Sequence, residues 1–227
     1  MLALLATAAA SPPLPQLADE GFAVGLSASA STVTDVLVDP TCDSGSACDA
    51  HRHRGGYGGA LLLQVAPFVG AWLAVNAESV TITQAEYQAE GVALEGGLSV
   101  NARPQQDFGG LMWASGAYAT SGADGADNAQ RWNVRAGGAA RFGQPDDQAS
   151  AWVGGELLIT GKDLTQVLGG TLEVALAPVV PISATAGFVL WSPPLGVSTR
   201  DVPRAFFSGQ ASIGAENGFG VGVGAIF

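Results

Sequence analysis

From Gly21 onward the chain alternates with a period of two. Phe22, Val24, Leu26, Ala28 and Ala30 fall on one row, and Gly21, Ala23, Gly25, Ser27 and Ser29 on the other. A helix would repeat its apolar positions every three to four residues; strict alternation over this length specifies a strand with two unlike faces. The pattern returns at Tyr57, Gly59, Leu61, Leu63, Val65; at Val92, Leu94, Gly96, Leu98, Val100; at Trp132, Val134, Ala136, Gly138, Ala140; and at Leu168, Gly170, Leu172, Val174, Leu176. Segments 69–78 and 109–119 carry apolar residues on both rows, so their faces cannot be assigned. Strands are expected near 21–31, 56–66, 69–78, 90–103, 109–119, 131–142, 150–160, 166–177, 182–191 and 206–227, ten in all, with eight or twelve as the neighbouring counts.

Composition decides what such strands can build. Of 227 residues, 48% are hydrophobic, 13% are charged and 32 are glycine, with a mean hydropathy of +0.28. A soluble domain carries about 25% charged residues, and disordered chains are poorer in apolar residues than this. No uninterrupted apolar run reaches the roughly 20 residues a membrane helix needs. What remains is an all-β fold, a transmembrane antiparallel up-and-down barrel. Opposite the apolar rows stand Glu95, Arg103, Arg131, Arg135, Arg141, Glu156, Glu173 and Glu216, which are expected to face the lumen. An Arg or Lys on the lipid side at midplane would cost about 2–4 kcal/mol. A soluble barrel would reverse the two faces.

The spacers sort by length. Short ones (66–68, 104–107, 144–148, 178–181) alternate with longer ones (32–55, 79–89, 120–130, 161–166, 192–205), as periplasmic turns alternate with external loops in outer-membrane barrels. Phe22, Phe108, Phe142, Trp152 and Phe227 would mark one membrane boundary, and Tyr57, Trp132 and Trp191 the other. The last segment keeps one phase from Phe207 to Phe227, which favours a single long strand; Glu216-Asn217-Gly218 offers the alternative of a tight hairpin.

Ahead of the barrel, residues 1–10 read as part of a signal peptide, with Ala8-Ala9-Ala10 as small-residue cleavage positions, and 11–20 as a periplasmic lead-in; a short apolar tail is the plainer reading. No further domain is expected after the barrel, which takes up 21–227. In an exported protein the pair Cys42 and Cys48 reads as a disulfide; a zinc site using His51 and His53 is the alternative. Lys and Arg total 9 against 20 acidic residues, so no nucleic-acid partner is expected.

The C-terminal run Phe219-Gly-Val221-Gly-Val223-Gly-Ala225-Ile-Phe227 resembles the terminal strand of Gram-negative outer-membrane β-barrels, which alternates apolar residues and ends in an aromatic. The likeness is to small single-chain barrels, OmpA- or OmpX-like or porin-like, as an architectural class. It implies a bacterial outer-membrane location, contact with lipid and lipopolysaccharide, and recognition of Phe219, Val221, Val223, Ala225 and Phe227 by the barrel-assembly machinery.

Function is less constrained. Enzymatic outer-membrane barrels place a His beside a Ser, or beside Asp pairs, and a Ser needs such a base to become nucleophilic. Here both histidines fall in the first loop, and Asp146-Asp147 reads as turn chemistry. No catalytic residue, metal or cofactor is therefore expected. The lumen charges support two readings: a Glu–Arg ladder that stabilises and plugs the barrel, or a constriction for small solutes. In the second, acidic loop residues (Asp35, Asp39, Asp43, Asp49, Glu86, Asp124, Asp201) would favour cations. Inward Ser27, Ser29, Ser212, Gly220 and Gly222 would leave space near the seam. The expectation is a barrel with a structural or surface role, with a narrow diffusion channel as its extension. An outer-membrane enzyme and a soluble secreted barrel that binds a small ligand are the alternatives.

Overall fold

The computed structural model describes residues 22–38, 49–82, 87–122, 129–145, 147–160, 165–167, 170–172, 182–193, 203–214 and 216–227. The signal-peptide and lead-in segments, Cys42, Cys48 and Glu173 lie outside these residues.

Every element among them is a strand. In chain order they are β1 Ala23–Val38, β2 Asp49–Ala66, β3 Val69–Ile82, β4 Tyr87–Ala102, β5 Phe108–Gly122, β6 Ala129–Phe142, β7 Ala149–Thr160, β8 Thr165–Val167, β9 Gly170–Leu172, β10 Ile182–Trp191, β11 Arg204–Gly214 and β12 Asn217–Ile226. Ten of them close a barrel in the order β1-β12-β11-β10-β7-β6-β5-β4-β3-β2, all neighbours antiparallel; β8 and β9 form a separate two-stranded sheet. At the seam, β1 runs beside β12 from Gly25↔Ile226 to Thr34↔Asn217. Val24 and Phe227 exchange backbone hydrogen bonds of 3.2 and 2.8 Å.

Two sequence expectations fail here in opposite directions, and the total of ten survives because they cancel. The segment 166–177 is not a wall strand: β7 pairs directly with β10 through Val153↔Ala186. β7 ends at Thr160 and β10 begins at Ile182, both at the mouth remote from the termini, so the wall has no place for a further strand and a short turn between them. The segment 206–227 is a hairpin, with Ser212 opposite Gly218. Its phase misleads for a geometric reason. Residues paired across an antiparallel ladder point to the same face, and this hairpin is centred on a residue, not on a bond. Even numbers therefore stay inside and odd ones outside in both arms, as they would in one continuous strand. β10 ends at Trp191 and β11 begins at Arg204, both at the end that carries the termini, so the spacer between them does not alternate as expected; Asp201 within it lies outside the described residues.

Stepping along directly opposed residues from Gly110 of β5 through Ala140, Val153, Ala186, Ala211, Phe219, Thr32, Gly55, Ser79 and Glu90 returns to β5 at Gly122, twelve residues above the start. With a rise of about 3.4 Å per residue and strands about 4.8 Å apart, that stagger tilts the strands about 40° and sets a backbone radius of roughly 10 Å. Each residue then climbs about 2.6 Å along the axis. Phe108 to Tyr118 on β5 and Phe142 to Trp132 on β6 are both ten residues, so the exposed aromatics form two girdles about 26 Å apart, the height of an outer-membrane apolar band. The Phe ring (Phe22, Phe68, Phe108, Phe142, Phe227) lies at the end with the termini. Between the girdles the outward residues are apolar and exposed, among them Leu26, Leu61, Leu73, Leu94, Leu98, Val153 and Val223. The inward ones are buried and include Glu95, Arg135 and Glu156. Apolar outside and charged inside is the arrangement of a membrane barrel.

The two segments that could not be phased now resolve. Trp72 on β3 and Trp113 on β5 are buried in the lumen. Trp152 and Trp191, expected at the membrane boundaries, are buried there too. Trp152 shares its parity with Glu156, so the two could not have faced opposite ways. Four of the lumen aromatics lie over a glycine directly across the ladder, Trp72 over Gly97, Trp113 over Gly137, Trp152 over Gly187 and Phe206 over Gly224, while Trp191 lies across from Phe206. A Cβ on Gly137 would stand 2.2 Å from Trp113 Cζ2, so the ring requires the glycine. With Leu62, Leu111 and Ile226 these aromatics form an apolar core in the half of the lumen nearer the termini.

Candidate functional site

Above that core, a chain of buried polar contacts crosses the lumen. It begins at Arg54 on β2, whose Nη2 donates to Glu216 Oε1. Glu216 stands in the β11–β12 turn, the tightest connection at that mouth, and its other oxygen accepts from Arg135 Nη2 on β6, 2.5 Å away. Arg135 Nη1 donates to Glu156 Oε1 on β7 at 2.9 Å. Glu156 Oε2 accepts from Trp113 Nε1 on β5 at 2.9 Å, which joins the ionic layer to the aromatic one. Arg54, Arg135, Glu156 and Glu216 are all at least 95% buried as side chains. Ions taken out of water persist when opposite charges and hydrogen bonds satisfy them, and here one carboxylate serves two guanidiniums from well-separated strands.

The turn that carries Glu216 is shaped for this. Gly214 sits at φ 138°, a conformation L side chains rarely adopt, and its N–H donates to Asn217 Oδ1 at 3.1 Å. Glu216 N–H lies 3.4 Å from Ser183 Oγ on β10. Strands β10, β11 and β12 have 10, 11 and 10 residues against 18 in β2. The wall is therefore lowest where this carboxylate turns inward.

At the terminus end the lumen has a floor. Arg141 on β6 donates to the carbonyl of Gly143 and, through Nη2, to those of Arg103 at 2.9 Å and Gln106 at 3.2 Å, which draws two turns together. Trp191 Nε1 donates to Pro145 O at 2.7 Å, and the Arg204 guanidinium lies 5.2 Å from the Trp191 ring centroid. In the same turn, Asp147 accepts from Gln144 N–H at 2.9 Å.

Of the expected lumen charges, Glu95, Arg135, Arg141, Glu156 and Glu216 face inward and are buried. Arg103 does not: it is exposed at a turn with φ 56°, because β4 ends one residue earlier and the chain reverses there. Arg131 lies on β6, its side chain outside the described residues. Arg54, Glu78 and Arg204 are further buried lumen charges that the sequence reading missed. Arg54 was placed in a long first loop, yet it continues the even-numbered inward row of Gly56, Gly58, Ala60 and Leu62. Extending the alternation upstream from Tyr57 would have found it. His53 is exposed, with Nδ1 3.0 Å from Thr34 Oγ1. Phe219, Val223 and Phe227 are exposed on the outer face of β12, and Val221 and Ala225 are half-buried in the same row.

No protein-family model and no curated protein matches the sequence. Among solved structures, the translocator domain of autotransporter NalP from Neisseria meningitidis aligns over 92% of this chain and 88% of that one, at 12% identity and a TM-score of 0.43.

Proposed function

We propose that this chain is a bacterial outer-membrane barrel whose lumen is closed to through-passage, and that it serves as a membrane-embedded support for the segments at its mouth remote from the termini. The observation that carries this is the buried chain Arg54–Glu216–Arg135–Glu156–Trp113, stacked on an aromatic layer and a floor of tied turns. A channel would have to part all three. The membrane supplies the outward contacts: lipid against the apolar band, and lipopolysaccharide at the Tyr57–Tyr118–Trp132 girdle. The outward row of β12 ending at Phe227 suits recognition by the barrel-assembly machinery. The reading is non-enzymatic and uses no metal or cofactor.

A narrow, cation-preferring channel is the competing reading, based on the net charge of −11. Conductance in planar bilayers separates the two, using protein whose folding is verified by a mobility shift between unheated and heated gel samples. Folded wild-type protein is expected to be silent. Discrete conductance steps would overturn the closed-lumen reading, and steps altered by Glu95→Gln or Arg135→Gln would locate a constriction.

A further inference from the structure

Between the aromatic layer and the Glu216 clamp, one side of the lumen is lined almost without side chains. Across β11, β12, β1 and β2, a single inward register reads Gln210, Gly220, Ser31 and Gly56, and the next reads Ser208, Gly222, Ser29 and Gly58. Below, Phe206 lies over Gly224 and Ile226 and Leu62 close the floor; above, Val33 and Arg54 meet the Glu216 turn. Ser29 and Ser31 are only half-buried, whereas the inward serines Ser99, Ser150 and Ser183 on other strands are buried.

Two amides point to what belongs in this space. Gln210 is 6% exposed, its Oε1 has no hydrogen-bond partner among the described residues, and both residues directly across from it are glycines, Gly220 on β12 and Gly187 on β10. Asn76, equally buried, lays its Oδ1 over Gly58, within 2.0 Å of where a Cβ would stand. A buried amide left unbonded is costly, and concave sites with a few converging polar groups are where small molecules bind. The nearby charges are already committed: Arg54 and Glu216 pair with each other, and the buried Glu78, across from Gly56, has a partner of its own.

We propose that this strip is a binding chamber for a small, uncharged, polyol-like solute, held by the Gln210 and Asn76 amides and the Ser29 and Ser31 hydroxyls, and entered from the Glu216 mouth. The proposal goes beyond the closed-barrel reading and does not depend on it: conductance tests through-passage, while the chamber is tested by chemical access from one side.

The experiment places a cysteine at Ser29 or Ser31 (S29C, S31C) in full-length protein with Cys42 and Cys48 replaced by Ser. The refolded barrel, verified by its heat-dependent mobility, is treated with methyl methanethiosulfonate, and modification is followed by intact mass. Glycerol is the probe solute, and E90C, on the exposed outer face of β4, is the control. Both lumen cysteines are expected to react, and glycerol to slow them in a saturating manner while leaving E90C unaffected. If neither lumen cysteine reacts in the folded barrel but both do once it is unfolded, there is no chamber. If they react but glycerol slows them no more than E90C, the space is solvated and the binding proposal is overturned.

Discussion

Replacing Glu216 with Gln keeps the shape of the β11–β12 turn and removes the charge that Arg54 and Arg135 share. Both guanidiniums are buried, so neither can recover its lost partner from water. Removing one member of a buried pair costs about 3–5 kcal/mol, chiefly through the charge left uncompensated. Arg135 keeps Glu156 at 2.9 Å, which argues for the lower end, about 3 kcal/mol. A solvated surface pair would give about 0–1 kcal/mol, so the outcomes separate cleanly. The assay is urea unfolding of the barrel in lipid vesicles, followed by tryptophan fluorescence. Arg54→Met supplies the second arm. Once the carboxylate is gone, Arg54 has no Glu216 contact left to lose, so the double variant is expected to lose clearly less than the sum of the single losses. A loss below about 1 kcal/mol for E216Q, or strict additivity in the double variant, would refute the clamp as an energetic unit.

Three further outcomes follow from the same geometry and can be read in the same unfolding assay. Gly137→Ala drives a methyl into Trp113, with a contact of 2.2 Å, and should cost roughly 1–3 kcal/mol; Gly116→Ala faces outward, meets nothing closer than 3.9 Å, and should be neutral or slightly stabilising. Leu98→Arg puts a charge near the middle of the apolar band and should cost about 2–4 kcal/mol, while Thr120→Arg, just beyond the Tyr118 girdle, should cost about 0–1 kcal/mol. Trp113→Phe keeps an aromatic over Gly137 but removes the indole donor to Glu156, a charge-assisted bond worth about 1.5–3 kcal/mol.

The barrel was legible in the sequence because lipid enforces alternation: Tyr57, Leu61 and Val65 must all face outward, and their neighbours inward. Legibility failed where the lumen itself is apolar. Trp72 and Trp113 put large hydrophobes on the inner row of β3 and β5, so neither row looked polar. The aromatic–glycine pairs that explain this are cross-strand partners, and a linear sequence does not show which Gly a Trp will meet. The hairpin in 206–227 was hidden by its residue-centred turn. In 166–177, Leu168 to Leu176 alternate as well as any wall strand, yet the wall closes without them. For the candidate site, Glu95, Arg135, Glu156 and Glu216 were visible as inward charges. That Glu216 is the shared partner of Arg54 and Arg135 depends on closure, which brings strands far apart in sequence to opposite sides of one lumen.

The seam between β1 and β12 also limits how this barrel can close wrongly. A slip of one residue would turn Phe219, Val223 and Phe227 into the lumen and face the glycines of β12 to lipid, so admissible errors come in steps of two. Two residues is about 5 Å of height, enough to lift Phe227 out of the Phe ring and to carry Glu216 away from Arg54. The ring at one end and the clamp at the other therefore work together as a gauge: both can be satisfied in only one register, and a barrel closed in any other exposes its fault at both mouths.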